Sequence, residues 1–130
     1  MISSNDVVAN DEDNYISIII RSDSFPKLRE MIDLALGLSA FNDYIKVFFI
    51  EKAVRILDSS LSIDPLQSGE RNIVKMLGMF ELYDINNIYV SLEDWTFYGL
   101  THDKLKIPVK VLSQKDLSKE ILHAKHYFMG

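Results

Sequence analysis

Apolar residues run along this chain in two rhythms. Tyr15-Ile-Ser-Ile-Ile-Ile20, Val47-Phe-Phe-Ile50 within the stretch Tyr44–Ile50, and Ile88-Tyr-Val-Ser91 are short runs rich in β-branched and aromatic residues. Such runs suit strands buried on both faces, as in parallel sheets. Between them the apolar positions adopt helical spacing. Leu28, Ile32, Ala35 and Ser39 form one stripe, and Met31, Leu34, Leu38 and Phe41 a second, so this helix is expected to be largely covered. Ser24 is placed to cap it and Pro26 to sit in its first turn. Asn42-Asp43 interrupt the pattern, Glu51–Leu57 reads as a short helix, and Asp58–Gly69 as a loop rich in Ser, Asp and Pro. Ile73, Met76, Leu77 and Phe80 then recur at i, i+3, i+4, i+7, predicting an amphipathic helix over Glu70–Glu81.

The remaining elements follow the same logic. Ser91–Tyr98 reads as a short helix closed by Gly99. Ile107–Leu112 reads as a fourth strand, with Pro108 near its start where proline is tolerated. Ser113 can cap a helix reaching about His123, and Tyr127-Phe-Met129 can form a short last strand at an edge. Strands alternating with helices predict an α/β fold: a single-domain three-layer sandwich around a mostly parallel five-stranded sheet, with right-handed crossovers. Open sheets of this kind bind ligands at the carboxyl ends of their strands. That rule selects the loops Arg21–Ser24, Glu51–Lys52 and Ser91–Asp94, and makes Arg21, Glu51, Ser91 and Asp94 a candidate ligand pocket.

Composition narrows the chemistry. A length of 130 residues suits one domain, and 48% hydrophobic with 25% charged residues argues against a disordered chain. There is no cysteine, which removes disulfides, thiolate-bound zinc, iron–sulfur clusters and thiol nucleophiles together. Residues 1–13 carry Asp6, Asp11, Glu12 and Asp13 with no basic residue; a loose acidic tail is expected there, preceding a folded domain over 14–130. That start is unlike a signal peptide, and no apolar run approaches a membrane span, so a cytoplasmic location without membrane contact is expected. The net charge of −5 disfavours direct nucleic-acid binding. The charge is uneven, however. The last 30 residues hold six lysines against three acidic residues, leaving an excess of eight negative charges in residues 1–100. The lysines are read as a solvated C-terminal surface, in preference to a patch for an acidic partner.

No catalytic constellation stands out. Ser91 lacks the Gly-x-Ser-x-Gly surroundings of a nucleophile elbow, whereas Asp94 three residues on gives the spacing of a helix cap. His123 and His126 lie three apart, with His102 elsewhere, but no Glu-x-x-His or His-Glu-x-x-His context supports a metal site. Glu51, Glu93 and Asp94 near the carboxyl edge show no spacing that selects acid–base work over solvent exposure. The glycines are isolated, so no phosphate loop is present. No cofactor and no metal are expected, and the chain is not read as an enzyme. Trp95, Phe97 and Tyr98 follow the third strand and are candidates for a subunit interface, where aromatic residues are enriched.

Three stretches together resemble the DsrE/DsrF family, and within it the TusC/DsrF type. They are Ile32-Asp-Leu-Ala-Leu-Gly-Leu-Ser-Ala-Phe41 with Val47-Phe-Phe-Ile50 and Ala53-Val54, then Lys75-Met-Leu-Gly78 with Leu82-Tyr-Asp-Ile85, then Ile88-Tyr-Val-Ser91 with Gly99-Leu100. The resemblance covers roughly residues 15–129 and rests on the order and spacing of all three. It implies a DsrE/F-like fold and a place in a sulfur relay, for example toward tRNA thiolation. In that family sulfur travels as a persulfide on a cysteine ending the third strand, chemistry that requires a thiolate. Here the thiol position is occupied by Ser91. The resemblance therefore implies a non-catalytic, cysteine-free subunit, assembled with DsrE/TusD-like and DsrH/TusB-like homologues. The alternative is a homo-oligomer that binds a small ligand at the strand ends and has left sulfur-transfer chemistry.

Overall fold

The computed structural model describes residues 14–41, 43–60 and 69–130, with side chains described from Ile73 onward in the helix that begins at Gly69. The acidic tail expected over 1–13 and most of the loop expected over Asp58–Gly69 lie outside the described residues.

Strand β1 (Tyr15–Ile20) is buried at all six positions, which its uninterrupted apolar run requires. Ser24 ends the following loop by accepting the Lys27 backbone N–H at 3.3 Å. With Pro26 in the first turn, it starts helix α1 (Phe25–Ala40). Strand β2 (Tyr44–Phe49) pairs parallel with β1. The segment Glu51–Leu57 is a 3₁₀ helix that buries Ala53, Val54, Ile56 and Leu57. Those positions repeat every three residues, which matches three residues per turn. Helix α2 (Gly69–Leu82) leads to β3 (Ile88–Ser91), again buried throughout. Helix α3 (Leu92–Phe97) closes at Gly99, whose φ of +67° is the left-handed conformation glycine adopts freely. Strand β4 (Lys110–Leu112), helix α4 (Gln114–His123) and strand β5 (His126–Met129) complete the chain.

The sheet order is β4-β3-β2-β1-β5 and every pairing is parallel. The chain steps outward from β1 to β4 with its connections on one face. It then returns across the other face through α4 to place β5 beside β1. Helices thus lie on both faces, giving the three layers the alternating pattern predicts. The larger core lies on the first face, where Ile16, Ile18, Ile20, Val47, Phe49 and Val90 meet α1, the 3₁₀ helix and α2. The second face is thinner: Ile19, Phe48 and Tyr89 meet Leu117 of α4.

The starts of the last two strands differ from the sequence expectation. The fourth strand begins at Lys110, not Ile107. The backbone just before it is engaged elsewhere: Ser59 N–H donates to Lys104 O at 2.7 Å and Lys106 N–H to Leu57 O at 2.8 Å. Pro108 has no N–H to offer the ladder. The last strand gains His126, which registers with Ile16.

Candidate functional site

Ser91 is the last residue of β3 and the N-cap of α3. Its side chain is fully buried, at 0% exposure, and its Oγ accepts the Asp94 backbone N–H at 2.9 Å. The Asp94 carboxylate continues the chain of contacts by accepting the Glu51 backbone N–H at 2.9 Å. Glu51 needs that restraint. Its φ of +54° is left-handed, a conformation that costs a residue with a Cβ about 1–2 kcal/mol. The ends of β2 and β3 are therefore tied together through Ser91, Asp94 and Glu51.

The strand order makes this edge significant. The connection after β3 goes to one face of the sheet and the connection after β4 to the other, which is the switch point where such folds open a crevice. Here the switch point is bridged. The Glu93 carboxylate on α3 accepts the Gln114 backbone N–H on α4 at 2.9 Å. Ser113 caps α4 in the same manner as Ser91 caps α3, accepting Asp116 N–H at 3.1 Å. The Ser91 hydroxyl in this position is buried and accepts a hydrogen bond.

Of the four candidate pocket residues, the structure brings Arg21 and Glu51 to one groove of about 460 Å³, shared with Ser22, Lys27, Lys52, Met129 and Gly130. Ser91 and Asp94 do not line it. Each instead accepts a backbone N–H that helps hold the strand ends together. If the Ser91 hydroxyl acts as a cap, Ser91→Ala lowers stability by about 0.5–2 kcal/mol. The fall appears as a lower urea midpoint with an unchanged slope. An unchanged midpoint contradicts the capping role.

The aromatic trio after β3 divides. Trp95 and Tyr98 pack against the main core, and Trp95 meets the His102 ring at 4.7 Å. Phe97 is 80% exposed and touches Tyr98 edge-on, with ring centroids 4.9 Å apart. Leu92 on the same helix is also exposed, so Phe97 is not the only apolar side chain that α3 presents to water.

The histidines separate as well. His123 ends α4 while His126 begins β5, so they share no helix face. Among the described residues no three His, Cys, Asp or Glu side chains group closely enough to hold a metal ion. The Asp103 carboxyl, on a 3₁₀ turn at His102–Lys104, is held below the usual carboxylate range, chiefly by the side-chain hydrogen bond from Thr101. It lies outside the groove. Among the described residues no helix is long and apolar enough to cross a membrane.

A second concavity, at the opposite edge of the sheet, is absent from the sequence expectations. Tyr15, Tyr44, Lys46, Asn87, Tyr89, Lys110, Lys119, Glu120 and His123 line a cleft of about 580 Å³. The lysine excess near the C-terminus was its one sequence signal, and only the register of the strands joins those lysines to Lys46.

The model of the DsrE/DsrF-like family matches residues 14–129. The Protein TusC homolog of Aliivibrio fischeri is 31% identical over 98 residues, covering 75% of this chain and 81% of that protein. The Protein TusC homolog of Vibrio parahaemolyticus is 31% identical over 96 residues, covering 74% and 80%. Among solved structures, the YchN protein from E. coli superposes with a TM-score of 0.70 at 18% identity, over 90% of this chain and 99% of that one. That likeness concerns the fold.

Proposed function

The chain belongs to the DsrE/DsrF-like family, and from that premise we propose that it is a thiol-free, non-catalytic subunit of a sulfur-relay oligomer of the TusC/DsrF type. The observation that carries this reading is Ser91. It stands where the family resemblance places a relay cysteine, and it is buried and committed to capping α3. A hydroxyl cannot hold a persulfide, and the chain has no cysteine anywhere else to do so. The likeness to proteins named TusC homolog supports the same assignment.

In this role the chain shapes and positions a cysteine-bearing homologue, in the cytoplasm, without itself contacting nucleic acid. Exposed apolar side chains support an assembling surface. Phe97 is the aromatic anchor of the α3 side, with Leu92 also exposed on that helix. Trp95 and Tyr98 fix the position of α3 from beneath. The groove at Arg21 and Glu51 favours the second reading, a homo-oligomer binding a small ligand at the strand ends.

A reconstituted relay tests the proposal. It contains this chain with DsrE/TusD-like and DsrH/TusB-like homologues from the same genome and a persulfide donor. Omitting this chain should slow sulfur delivery from the cysteine-bearing subunit by about tenfold or more, equivalent to at least ~1.4 kcal/mol in barrier. Delivery at the same rate without it would refute the subunit role.

A further inference from the structure

The cleft at the amino edge of the sheet is built by residues that are remote in sequence. Tyr15 and Tyr44 begin β1 and β2 and register with each other. Lys110 begins β4 and registers with Tyr89 of β3. Lys119, Glu120 and His123 lie on α4 and close the cleft from above. The opening has a physical cause. Helix α4 has 10 residues, about 15 Å of helix, and Leu117 is its one buried residue. It runs back over β1, where the Glu120 and Ile121 carbonyls accept the Tyr15 and Ser17 hydroxyls, and leaves a cleft beside it over the amino ends of β2, β3 and β4. Strand β2 is graded to match: Tyr44 and Lys46 line the cleft, while Phe48 lies in the covered core.

The charge in the cleft is positive in a chain that is negative overall. Three ammonium groups, from Lys46, Lys110 and Lys119, face one carboxylate, that of Glu120. Glu120 is already engaged: it pairs with Lys46 Nζ at 2.8 Å, and its backbone carbonyl accepts the Tyr15 hydroxyl. Lys46 also lies over the Tyr15 ring, 3.9 Å from its centroid, with only 11% of its side chain exposed. This pair forms the floor. Lys110 is held by the Asn87 Oδ1 at 2.7 Å, and the Asn87 amide in turn donates to the Tyr44 hydroxyl. Asn87 orients the Lys110 ammonium without neutralising it. Lys119 has no side-chain hydrogen bond or ion pair among the described residues. Two uncompensated cations thus share a concave site whose volume lies within the range of small-molecule pockets, about 300–1,000 Å³.

We propose that this cleft binds a small phosphorylated ligand, with Lys110 and Lys119 as the charged contacts and Asn87 holding Lys110 in position. A concave site of this size, walled by Tyr44 and Tyr89, suits a compact polyanion better than the flat surface of an acidic protein. The assignment is independent of the relay reading, because it involves neither Ser91 nor the carboxyl edge.

Inorganic pyrophosphate is the probe, titrated into the full chain at about 0.15 M salt, where distant surface charges are screened beyond about 8 Å. The expected result is saturable one-to-one binding, with Lys110→Gln combined with Lys119→Gln weakening it by about tenfold or more. Asn87→Asp, which neutralises Lys110 while leaving both lysines in place, should weaken it as well. Lys27→Gln with Lys52→Gln, on the opposite edge, should leave it unchanged. Non-saturable binding, equal affinity in all variants, or binding of an acidic peptide without pyrophosphate would each overturn the proposal.

Discussion

Phe48→Ala should destabilise the protein by about 3–5 kcal/mol, the usual cost of emptying a fully buried phenylalanine site. The side chain is 0% exposed, and its ring stacks on Tyr89 with centroids 5.1 Å apart and planes inclined by 16°. Such a pair adds about 0.5–1.5 kcal/mol to the area it buries. The second face has little else to compensate. Its buried apolar side chains are Ile19, Phe48, Tyr89 and Leu117, and a cavity at Phe48 also removes the platform on which α4 rests. Against a total stability of about 5–15 kcal/mol, this loss should be plain in a urea titration. The control is Phe41→Ala: Phe41 is 82% exposed, so its removal should change stability by no more than about 0.5 kcal/mol. Equal effects of the two substitutions would mean that the second face is not a packed core.

Phe97→Asp should have the opposite signature. An exposed ring contributes little to the monomer, so folding stability should change by about 0.5 kcal/mol at most. Association with a cysteine-bearing homologue should weaken by about 2 kcal/mol or more, close to thirtyfold, if the ring is an interface anchor. The geometry favours an anchor. Phe97 is carried on a helix whose start is capped by Ser91, whose base is fixed by Trp95 and Tyr98, and whose end is closed by Gly99. A ring so positioned loses little freedom on binding. Calorimetric titration of the two purified proteins reads the effect, and unchanged affinity would remove Phe97 from the interface.

Much of this architecture is legible in the residues. Continuous β-branched and aromatic runs disclose β1, β2 and β3, because strands covered on both faces have no polar side to show. Ser24, Ser91 and Ser113 each reveal a helix start, because a hydroxyl that accepts an N–H two or three residues on is a local interaction. The start of β4 was not legible. Residues 104–106 pair with 57–59 in space, and nothing in the stretch Ile107–Leu112 encodes that competing pairing. The carboxyl-edge pocket was legible only in part. Strand order brings Arg21 and Glu51 together, but whether Ser91 points to solvent depends on how α3 starts. The amino-edge cleft showed only as a lysine excess, for a similar reason. Lys46, Lys110 and Lys119 read as separate solvated charges until strand register and the path of α4 over β1 place them around one opening.

The central claim is that a chain without a thiol serves a relay by joining a subunit that has one. The most direct measurement is the native mass of the protein after co-expression with its DsrE/TusD-like and DsrH/TusB-like homologues. The predicted result is one stable species containing this chain and the cysteine-bearing homologue in equal numbers, with a mass several times the 15.0 kDa of this chain alone. A monomer, or assemblies of this chain only, would contradict it and direct attention to the Arg21–Glu51 groove instead.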